Sequence, residues 1–277
     1  MLKIDSHHHL WRFDADEYGW IDDRMEVLRH DFLPQDLHKE MMACGIGGAV
    51  AVQARQTVEE TNWLLREAEQ NSFMKGVVGW VPLTDPTLGE ILEQVSAHPK
   101  LRGVRHVLQD EPDDNYILRD DFNRGIGELR RYNLTYDILI FERHLPQTIR
   151  FVDQHPNQKF VLDHLAKPRI KVEEISPWDQ HMHELAKRPN VYCKISGLAT
   201  EADHSHWTDE QLRPYIDAVI RAFGPKRVMF GSDWPVCLLA VSYQRWVSSV
   251  EKFASSLSPS EQQYLWAQTA IEAYGIQ

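Results

Sequence analysis

The chain has 277 residues, 43% of them hydrophobic and 26% charged, which is ordinary for a globular protein and sufficient for one α/β barrel. Its 30 basic and 41 acidic residues give a net charge of −11 without a basic cluster, which argues against nucleic acid or an anionic membrane as a partner. No apolar run approaches the ~18 residues of a membrane span, Asp5 interrupts any signal-peptide core, and three cysteines lack metal-type pairing, so we expect a cytoplasmic protein.

Eight short β-rich runs alternate with stretches of helical periodicity along the chain. The predicted strands span residues 2–5, 48–53, 76–81, 103–107, 135–140, 159–163, 191–196 and 227–231. The predicted helices span residues 34–44, 58–71, 88–97, 122–132, 145–155, 178–187 and 209–223, with one or two more before residue 274. Thr57 with Glu60 and Thr208 with Gln211 fit capping boxes at two helix starts. This alternation predicts an α/β fold, a single (β/α)8 TIM-type barrel, regular or distorted, over residues 1–277; a doubly wound open sheet is the alternative.

A segment without strand or helix signals, residues 13–31, follows the first predicted strand. Loops of this length inside a compact domain are more often functional than idle. We therefore expect a long loop over the first strand.

Two histidines, His7 and His9, stand two residues apart where the first predicted strand should end. Side chains i and i+2 of a strand share one face about 6.6 Å apart, so two imidazoles could converge on one ion or one substrate oxygen, while His8 points the other way. A remnant of a purification tag is the alternative, and the strand-like residues 1–5 before it disfavour that interpretation. We expect His7 and His9 to be functional if matching groups follow other strands.

Polar side chains recur where the other predicted strands end, and these ends form the active site of such a barrel. His164 directly follows an apolar strand, and Asp233 follows the last one. The structural alternative is a core histidine for His164 and a turn residue for Asp233. The positions of both residues at strand ends favour a site shared with His7 and His9. Three imidazoles and one carboxylate suit a single catalytic zinc ion with room for water. The same groups could also act without metal, with Asp233 as base and the imidazoles polarising a carbonyl.

Arg105 and His106 are adjacent on the fourth predicted strand, so only one of them should face the barrel interior. Either side chain could stabilise an oxyanion, and an ion pair with a neighbouring carboxylate is the structural alternative for Arg105. Aromatic side chains near strand ends would suit stacking on a sugar-like ring, although most tryptophans pack in cores. The candidate substrate-binding residues are Gln53, Arg55, Tyr136, Lys194, Ser196, Trp11 and Trp234.

Six segments carry recognisable motifs. They are Asp5-x-His7-x-His9-x-Trp11, Val52-Gln53-Ala54 with Glu60-Thr61-x-Trp63-Leu64, Gly103-Val104-Arg105-His106, Asp163-His164-Leu165-x-Lys167-Pro168, Lys194-x-Ser196-Gly197-Leu198 and Gly231-Ser232-Asp233-Trp234-Pro235. Together they resemble the amidohydrolase superfamily of the amidohydrolase 2 type, in particular its lactonase branch with the L-fucono- and L-rhamnono-lactonases and the 2-pyrone-4,6-dicarboxylate hydrolases. The resemblance runs from residue 2 to about residue 235. It implies a (β/α)8 barrel that hydrolyses an ester within a ring.

Within this resemblance, His7, His9 and His164 correspond to the metal-site histidines and Asp233 to the general base. Members with two metal ions carry a lysine at the end of strand four and a histidine at the end of strand five. This chain has Arg105 in the first place and no histidine in the second, so a two-metal centre is not expected. The lactonase branch includes members with one zinc ion and members without metal, so the resemblance leaves metal dependence open.

These observations predict a carboxylic ester hydrolase that opens a sugar lactone such as L-fucono- or L-rhamnono-lactone. Asp233 would take a proton from the water that attacks the ring ester and deliver it to the departing ring oxygen. The histidines His7, His9 and His164, with or without zinc, would stabilise the oxyanion together with Arg105 or His106. A dicarboxylated lactone would need several clustered arginines, and Arg55 and Arg105 alone are placed near the site, so a neutral small-molecule lactone is preferred. The alternatives are a pyrone dicarboxylate hydrolase, a decarboxylase and a barrel that only binds a sugar or metal. Spacing does not encode the oligomeric state.

Overall fold

The computed structural model describes residues 1–276. Across these residues eight parallel strands form one sheet in which each strand pairs with the next along the chain. Their bounds are β1 Ile4–His8, β2 Gly48–Val52, β3 Met74–Gly79, β4 Leu101–Val107, β5 Thr135–Leu139, β6 Phe160–Leu162, β7 Val191–Ile195 and β8 Val228–Phe230. This order, with helices between consecutive strands, confirms the predicted (β/α)8 barrel.

The barrel closes between β1 and the residues just after β8. The backbone N–H of Asp233 donates to the carbonyl oxygen of His7 (2.8 Å), and that of His9 donates to Trp234 (2.6 Å). A parallel bridge joins His8 to Trp234. The closing seam therefore brings Asp233 next to the two histidines predicted to share a site with it.

The helices cover the outside of the barrel. Their bounds are α1 Pro34–Ala43, α2 Val58–Gln70, α3 Leu88–Val95, α4 Asp120–Leu129, α5 Leu145–Gln154, α6 Trp178–Leu185, α7 Asp209–Phe223, α8 Tyr243–Ala254, α9 Pro259–Gln263 and α10 Thr269–Tyr274. The predicted capping box of Thr208 with Gln211 is present at α7, so the local sequence alone defines where this helix begins. Among the helices of residues 1–276, none combines the length and the apolar character needed to cross a bilayer.

Several local predictions differ from the structure: three helices rather than one or two lie between residues 243 and 274, and β3 begins at Met74 rather than at residue 76. The first strand covers Ile4–His8 rather than residues 2–5, because the backbone of the histidines pairs with β2 while Leu2 is exposed. At α2, Thr57 accepts a hydrogen bond from the backbone N–H of Glu60, but the Glu60 carboxylate does not return it. That carboxylate instead accepts the backbone N–H groups of Ala54 (3.0 Å) and Arg55 (2.8 Å), so it shapes the loop after β2.

The interior of the barrel is layered. Its lower layer is apolar, with side chains such as Val50, Val78 and Met229, and packs against the α10 helix. A layer of buried charged groups lies above it, and Tyr274 of α10 donates a hydrogen bond up to Asp137 in that layer (2.7 Å). The barrel interior below the polar groups at the C-terminal ends of the strands is therefore filled and closed by α10.

Candidate active site

A cavity of about 780 Å³ opens at the C-terminal ends of the strands. The predicted site residues that line it are His9, Arg55, Arg105, His164 and Asp233. The long segment at residues 13–31 contributes Glu17, Trp20 and Met25 to the wall, and the loops after β6 and β7 contribute Lys167, Thr200, Glu201 and His204. A cavity of this size is ample for a small-molecule ligand.

The structure brings together the four predicted metal-site residues, which lie on β1 and just after β1, β6 and β8. The Nε2 atoms of His7 and His9 are 3.1 Å apart. Asp233 Oδ1 lies 3.6 Å from Nε2 of His7, 3.4 Å from that of His9 and 3.8 Å from that of His164. One ligand atom each from His7, His164 and Asp233 lie within 4.8 Å of one another. Three imidazole nitrogens therefore surround one carboxylate oxygen.

This donor set fits a single zinc ion. Zinc bonds to nitrogen and oxygen of about 2.0–2.1 Å place the ligand atoms of a tetrahedral site about 3.3 Å apart. The observed separations between Asp233 Oδ1 and the three imidazoles lie just above that distance. Imidazole nitrogen and carboxylate oxygen are ligands that zinc prefers, so the residues present suit the ion.

The opposite nitrogen of each imidazole is held by a second contact. Nδ1 of His9 donates to the backbone carbonyl of Val52 (2.8 Å), and Nδ1 of His164 is hydrogen-bonded to Ser196 Oγ (2.8 Å). Nδ1 of His7 lies 3.3 Å from Asp163 Oδ1. A carbonyl can only accept, so Nδ1 of His9 carries a proton, and Nε2 is the nitrogen that faces Asp233. Such outer contacts are typical of histidines that bind metal.

Burial favours a neutral ring at His7 and at His164, and the Asp233 carboxylate is ionised. Burial lowers the pKa of His164 to about 4 and that of His7 well below its usual range. Burial alone would raise the pKa of Asp233, but the interactions with His164, His9 and His7 outweigh burial and hold that pKa below its usual value. Neutral imidazole and ionised carboxylate are the forms that bind a metal or take a proton.

The backbone is strained where it presents these groups. The four consecutive residues at 164–167 have φ between +49° and +57°, and Asp233 has φ +58°. Residues other than glycine lose about 1–2 kcal/mol each in this left-handed region. Gly197 packs against this turn at φ +65°, and a Cβ atom there would lie 2.7 Å from Nδ1 of His164. Tertiary contacts therefore hold His164 and Asp233 in orientations that the local sequence disfavours.

A buried network of charges supports the site from below. Lys194 Nζ lies 2.5 Å from Asp137, 3.0 Å from Asp163 and 3.2 Å from Nδ1 of His7. Arg105 donates to Asp163 (3.0 Å) and to Gln53 (2.9 Å), and its Nη1 lies 3.4 Å from Nε2 of His7. Two cations thus neutralise two interior carboxylates and brace His7.

Arg105, not His106, faces the site. The alternation of β4 turns His106 into the layer between barrel and helices, where it stacks on Tyr116 at 5.3 Å and its Nε2 contacts Glu111 (2.7 Å). The indole N–H of Trp80 donates to Nδ1 of His106 (3.3 Å). The structure therefore does not bring His106 to the reacting groups, contrary to the catalytic alternative predicted for it.

Several predicted substrate-binding residues lie outside the cavity. Tyr136 is fully buried and packs against Phe122 and other aromatic residues of the outer core, because its neighbour Asp137 takes the interior position. Trp11 donates its indole N–H to the carbonyl of His30 and packs in the core. The remaining ones are buried beside the site without lining it: Trp234, Ser196, Lys194 and Gln53.

Other cavity residues were not predicted from the sequence. Trp20 and Glu17 belong to the long segment after β1, and Glu201 belongs to the loop after β7. Lys167 belongs to the Asp163-His164-Leu165-x-Lys167-Pro168 motif, and its position three residues after His164 could have indicated that it lies at the cavity. The others carry no local pattern, because loop conformation alone decides whether they reach the cavity.

Comparisons with known proteins agree with the fold and identify the family. A family model described as amidohydrolase matches residues 4–276. The L-fucono-1,5-lactonase of Burkholderia multivorans (strain ATCC 17616 / 249) is 43% identical, with 99% of this chain and 96% of that protein covered. The L-fucono-1,5-lactonase of Burkholderia ambifaria is 35% identical with the same coverage. A crystal structure of an amidohydrolase from Burkholderia multivorans with bound zinc covers 100% of both chains at 43% identity and a TM-score of 0.96. This chain belongs to the amidohydrolase family.

Proposed function

We propose that this protein hydrolyses sugar lactones and opens the ring ester of an aldono-lactone such as L-fucono- or L-rhamnono-lactone. Support comes above all from the convergence of Asp233 with His7, His9 and His164 in one cavity. The L-fucono-1,5-lactonases among its relatives match almost the whole chain at 43% and 35% identity.

His7, His9, His164 and Asp233 would hold one zinc ion in this protein. A zinc ion at such a site supplies a Lewis acid and lowers the pKa of bound water to about 7. Lys194 and Asp163 brace His7 from behind, and Ser196 and Val52 hold the other two rings. The chain's own contacts therefore pre-orient the donor atoms.

Asp233 acts as the general base in the proposed reaction. Its ionised carboxylate takes one proton from water, and the water oxygen forms the new bond to the lactone carbonyl carbon. The bond from that carbon to the ring oxygen then breaks, and Asp233 returns the proton to the departing oxygen. The product is the open hydroxy acid, which releases its own proton to solvent at neutral pH.

Arg105 stabilises the negative charge on the carbonyl oxygen. Nη1 of Arg105 donates one hydrogen bond to Asp163. The same Nη1 lies 3.4 Å from Nε2 of His7 at the floor of the cavity. A fixed cation at this distance from the reacting groups stabilises an oxyanion without reorganisation.

A neutral lactone suits the cavity better than a dicarboxylated one. Arg55 is hydrogen-bonded to Glu17, Arg105 to Asp163, and Lys167 faces Glu201. Each cation on the wall already has a carboxylate beside it, so no pair of free cations awaits two substrate carboxylates within the described residues.

A lactone panel tests the proposed function. Purified protein is given aldono-1,5-lactones, aldono-1,4-lactones and a pyrone dicarboxylate, and acid release above the uncatalysed rate is followed with a pH indicator. We expect turnover of a sugar lactone. Turnover of the pyrone dicarboxylate alone would support the alternative substrate class, and turnover of none of the compounds would contradict lactone hydrolysis.

A further inference from the structure

Two charged side chains on the cavity wall face each other without a hydrogen bond. Lys167 Nζ lies 3.8 Å from Glu201 Oε1, which is beyond hydrogen-bond length, and the two side chains are 18% and 23% exposed. Within residues 1–276, neither charged group has a hydrogen-bond partner of its own, although Lys167 lies over the ring of Phe141. Both groups therefore keep free hydrogen-bonding capacity directed at the cavity.

The other cations of the wall are different. Arg55 is hydrogen-bonded to Glu17, and Arg105 donates to both Asp163 and Gln53. Partly buried charges without hydrogen bonds are costly unless a ligand or water supplies the missing partners. Among the described charged residues of this wall, Lys167 and Glu201 therefore form a pair that has no hydrogen bond to hold it.

The loops fix where this pair stands relative to the reacting groups. Lys167 ends the left-handed turn that presents His164, three residues before it. Glu201 ends the short turn Ala199–Glu201, which Thr200 ties to the carbonyl of Gly197 (2.8 Å), and Gly197 packs against the His164 ring. A ligand bound at the imidazoles would therefore extend towards this pair.

The two groups are complementary to adjacent hydroxyls. An ammonium group only donates hydrogen bonds, and a carboxylate only accepts them. One hydroxyl of a diol can accept from Lys167 while its neighbour donates to Glu201. A substrate carboxylate at Lys167 would instead meet the like charge of Glu201.

We propose that Lys167 and Glu201 bind neighbouring ring hydroxyls of the lactone and thereby select sugar lactones over lactones without hydroxyl groups. This inference rests on the proposed lactone hydrolysis. Hydrogen bonds to charged groups account for about 10- to 100-fold in affinity, so this is the selectivity expected from each residue.

The test compares a sugar 1,5-lactone with δ-valerolactone, which has the same ring and no hydroxyl. We expect Glu201→Ala and Lys167→Met each to lower kcat/KM for the sugar lactone by about 10- to 100-fold and to leave that for δ-valerolactone within about twofold. The matched controls Glu184→Ala and Lys187→Met remove an exposed ion pair and should change neither. Equal losses on both substrates, or no loss on the sugar lactone, would overturn the assignment.

If δ-valerolactone is hydrolysed too slowly to measure, sugar lactones that lack single hydroxyl groups provide a second test. Sugar lactones that each lack one hydroxyl are compared with the parent in the wild-type protein, which should discriminate against at least one by about 10- to 100-fold. Glu201→Ala or Lys167→Met should abolish that discrimination, and its persistence in both variants would refute the pair's role. If the wild-type protein hydrolyses no lactone at all, the proposed function fails; if it does and selectivity is unchanged in the variants, only this inference fails.

Discussion

Asp233 is the residue on which the proposed chemistry depends most, because its carboxylate lies within 3.8 Å of three imidazole nitrogens. We expect Asp233→Asn to lower kcat/KM for a sugar lactone by about 10³-fold, since an amide cannot accept the proton of water. Steady-state kinetics on the best lactone measure this. Asp153→Asn, which changes an exposed carboxylate, is the matched control. Retention of wild-type turnover by Asp233→Asn would remove the general base from the mechanism.

His164 gives the metal-free protein a specific dependence of stability on pH. Burial lowers its pKa from 6.5 to about 4 in the folded state, so folding favours the neutral ring. This contribution is complete above pH 6.5 and declines as pH falls towards 4, because the unfolded chain takes up the proton first. We expect the free energy of unfolding to fall by about 2 kcal/mol more between about pH 7 and pH 4.5 in the wild type than in His164→Gln. Urea unfolding after chelation measures both, and equal losses would contradict a buried neutral His164.

Single residues also show what sequence patterns could establish at this scale. The i, i+2 spacing predicted that His7 and His9 share a face, and their Nε2 atoms are 3.1 Å apart. Adjacency on a strand predicted that only one of Arg105 and His106 faces inward, but not which one. That choice depends on the register of β4 within the barrel, and long-range strand pairing decides the register.

At the scale of elements, the turn after β6 depends on a glycine from the loop after β7. Gly197→Ala adds a Cβ atom 2.7 Å from the His164 ring at a residue with φ +65°. We expect a loss of stability of about 1–2 kcal/mol from the backbone conformation alone, together with weaker metal binding because the ring must move. Urea unfolding and zinc titration measure the two effects.

Gly127→Ala is the control for that substitution. Gly127 lies in α4, and a Cβ atom on it would meet no atom of a neighbouring element within 4 Å. Alanine there should stabilise the helix by about 0.5–1 kcal/mol, because glycine loses more conformational freedom on folding. Equal effects of the two substitutions would mean that Gly197 has no special role beside His164.

Helix starts were predictable and loop positions were not. Thr208 with Gln211 predicts where α7 begins, since the capping groups are neighbours in sequence. Trp20, in contrast, lies in a segment without periodicity, and its place at the cavity follows from how that segment folds over the barrel. The outcome depends on contacts between residues that are distant in sequence.

For the whole molecule, the candidate metal site joins β1, β6 and the seam beyond β8. An ion that binds only the folded state stabilises it by about 2.7 kcal/mol at about 100 times its Kd. We therefore expect zinc to raise Tm by about 5 °C or more over chelated protein, with one zinc per chain by elemental analysis.

The variant His164→Ala serves as the control for this effect, because it lacks one of the three imidazoles near Asp233. Zinc should shift its Tm much less. A chelated protein with unchanged Tm and full lactone turnover would show that the same residues act without metal.

The sequence by itself determined the alternation of strands and helices, the family resemblance and the placing of His7, His9, His164 and Asp233 at strand ends, because these depend on local periodicity and short motifs. Only the tertiary structure decided that Arg105 faces the site, that Tyr136 belongs to the core and that Lys167 meets Glu201. The physical reason is that closing the barrel sets strand register and loop direction through contacts between distant residues, which no local pattern contains.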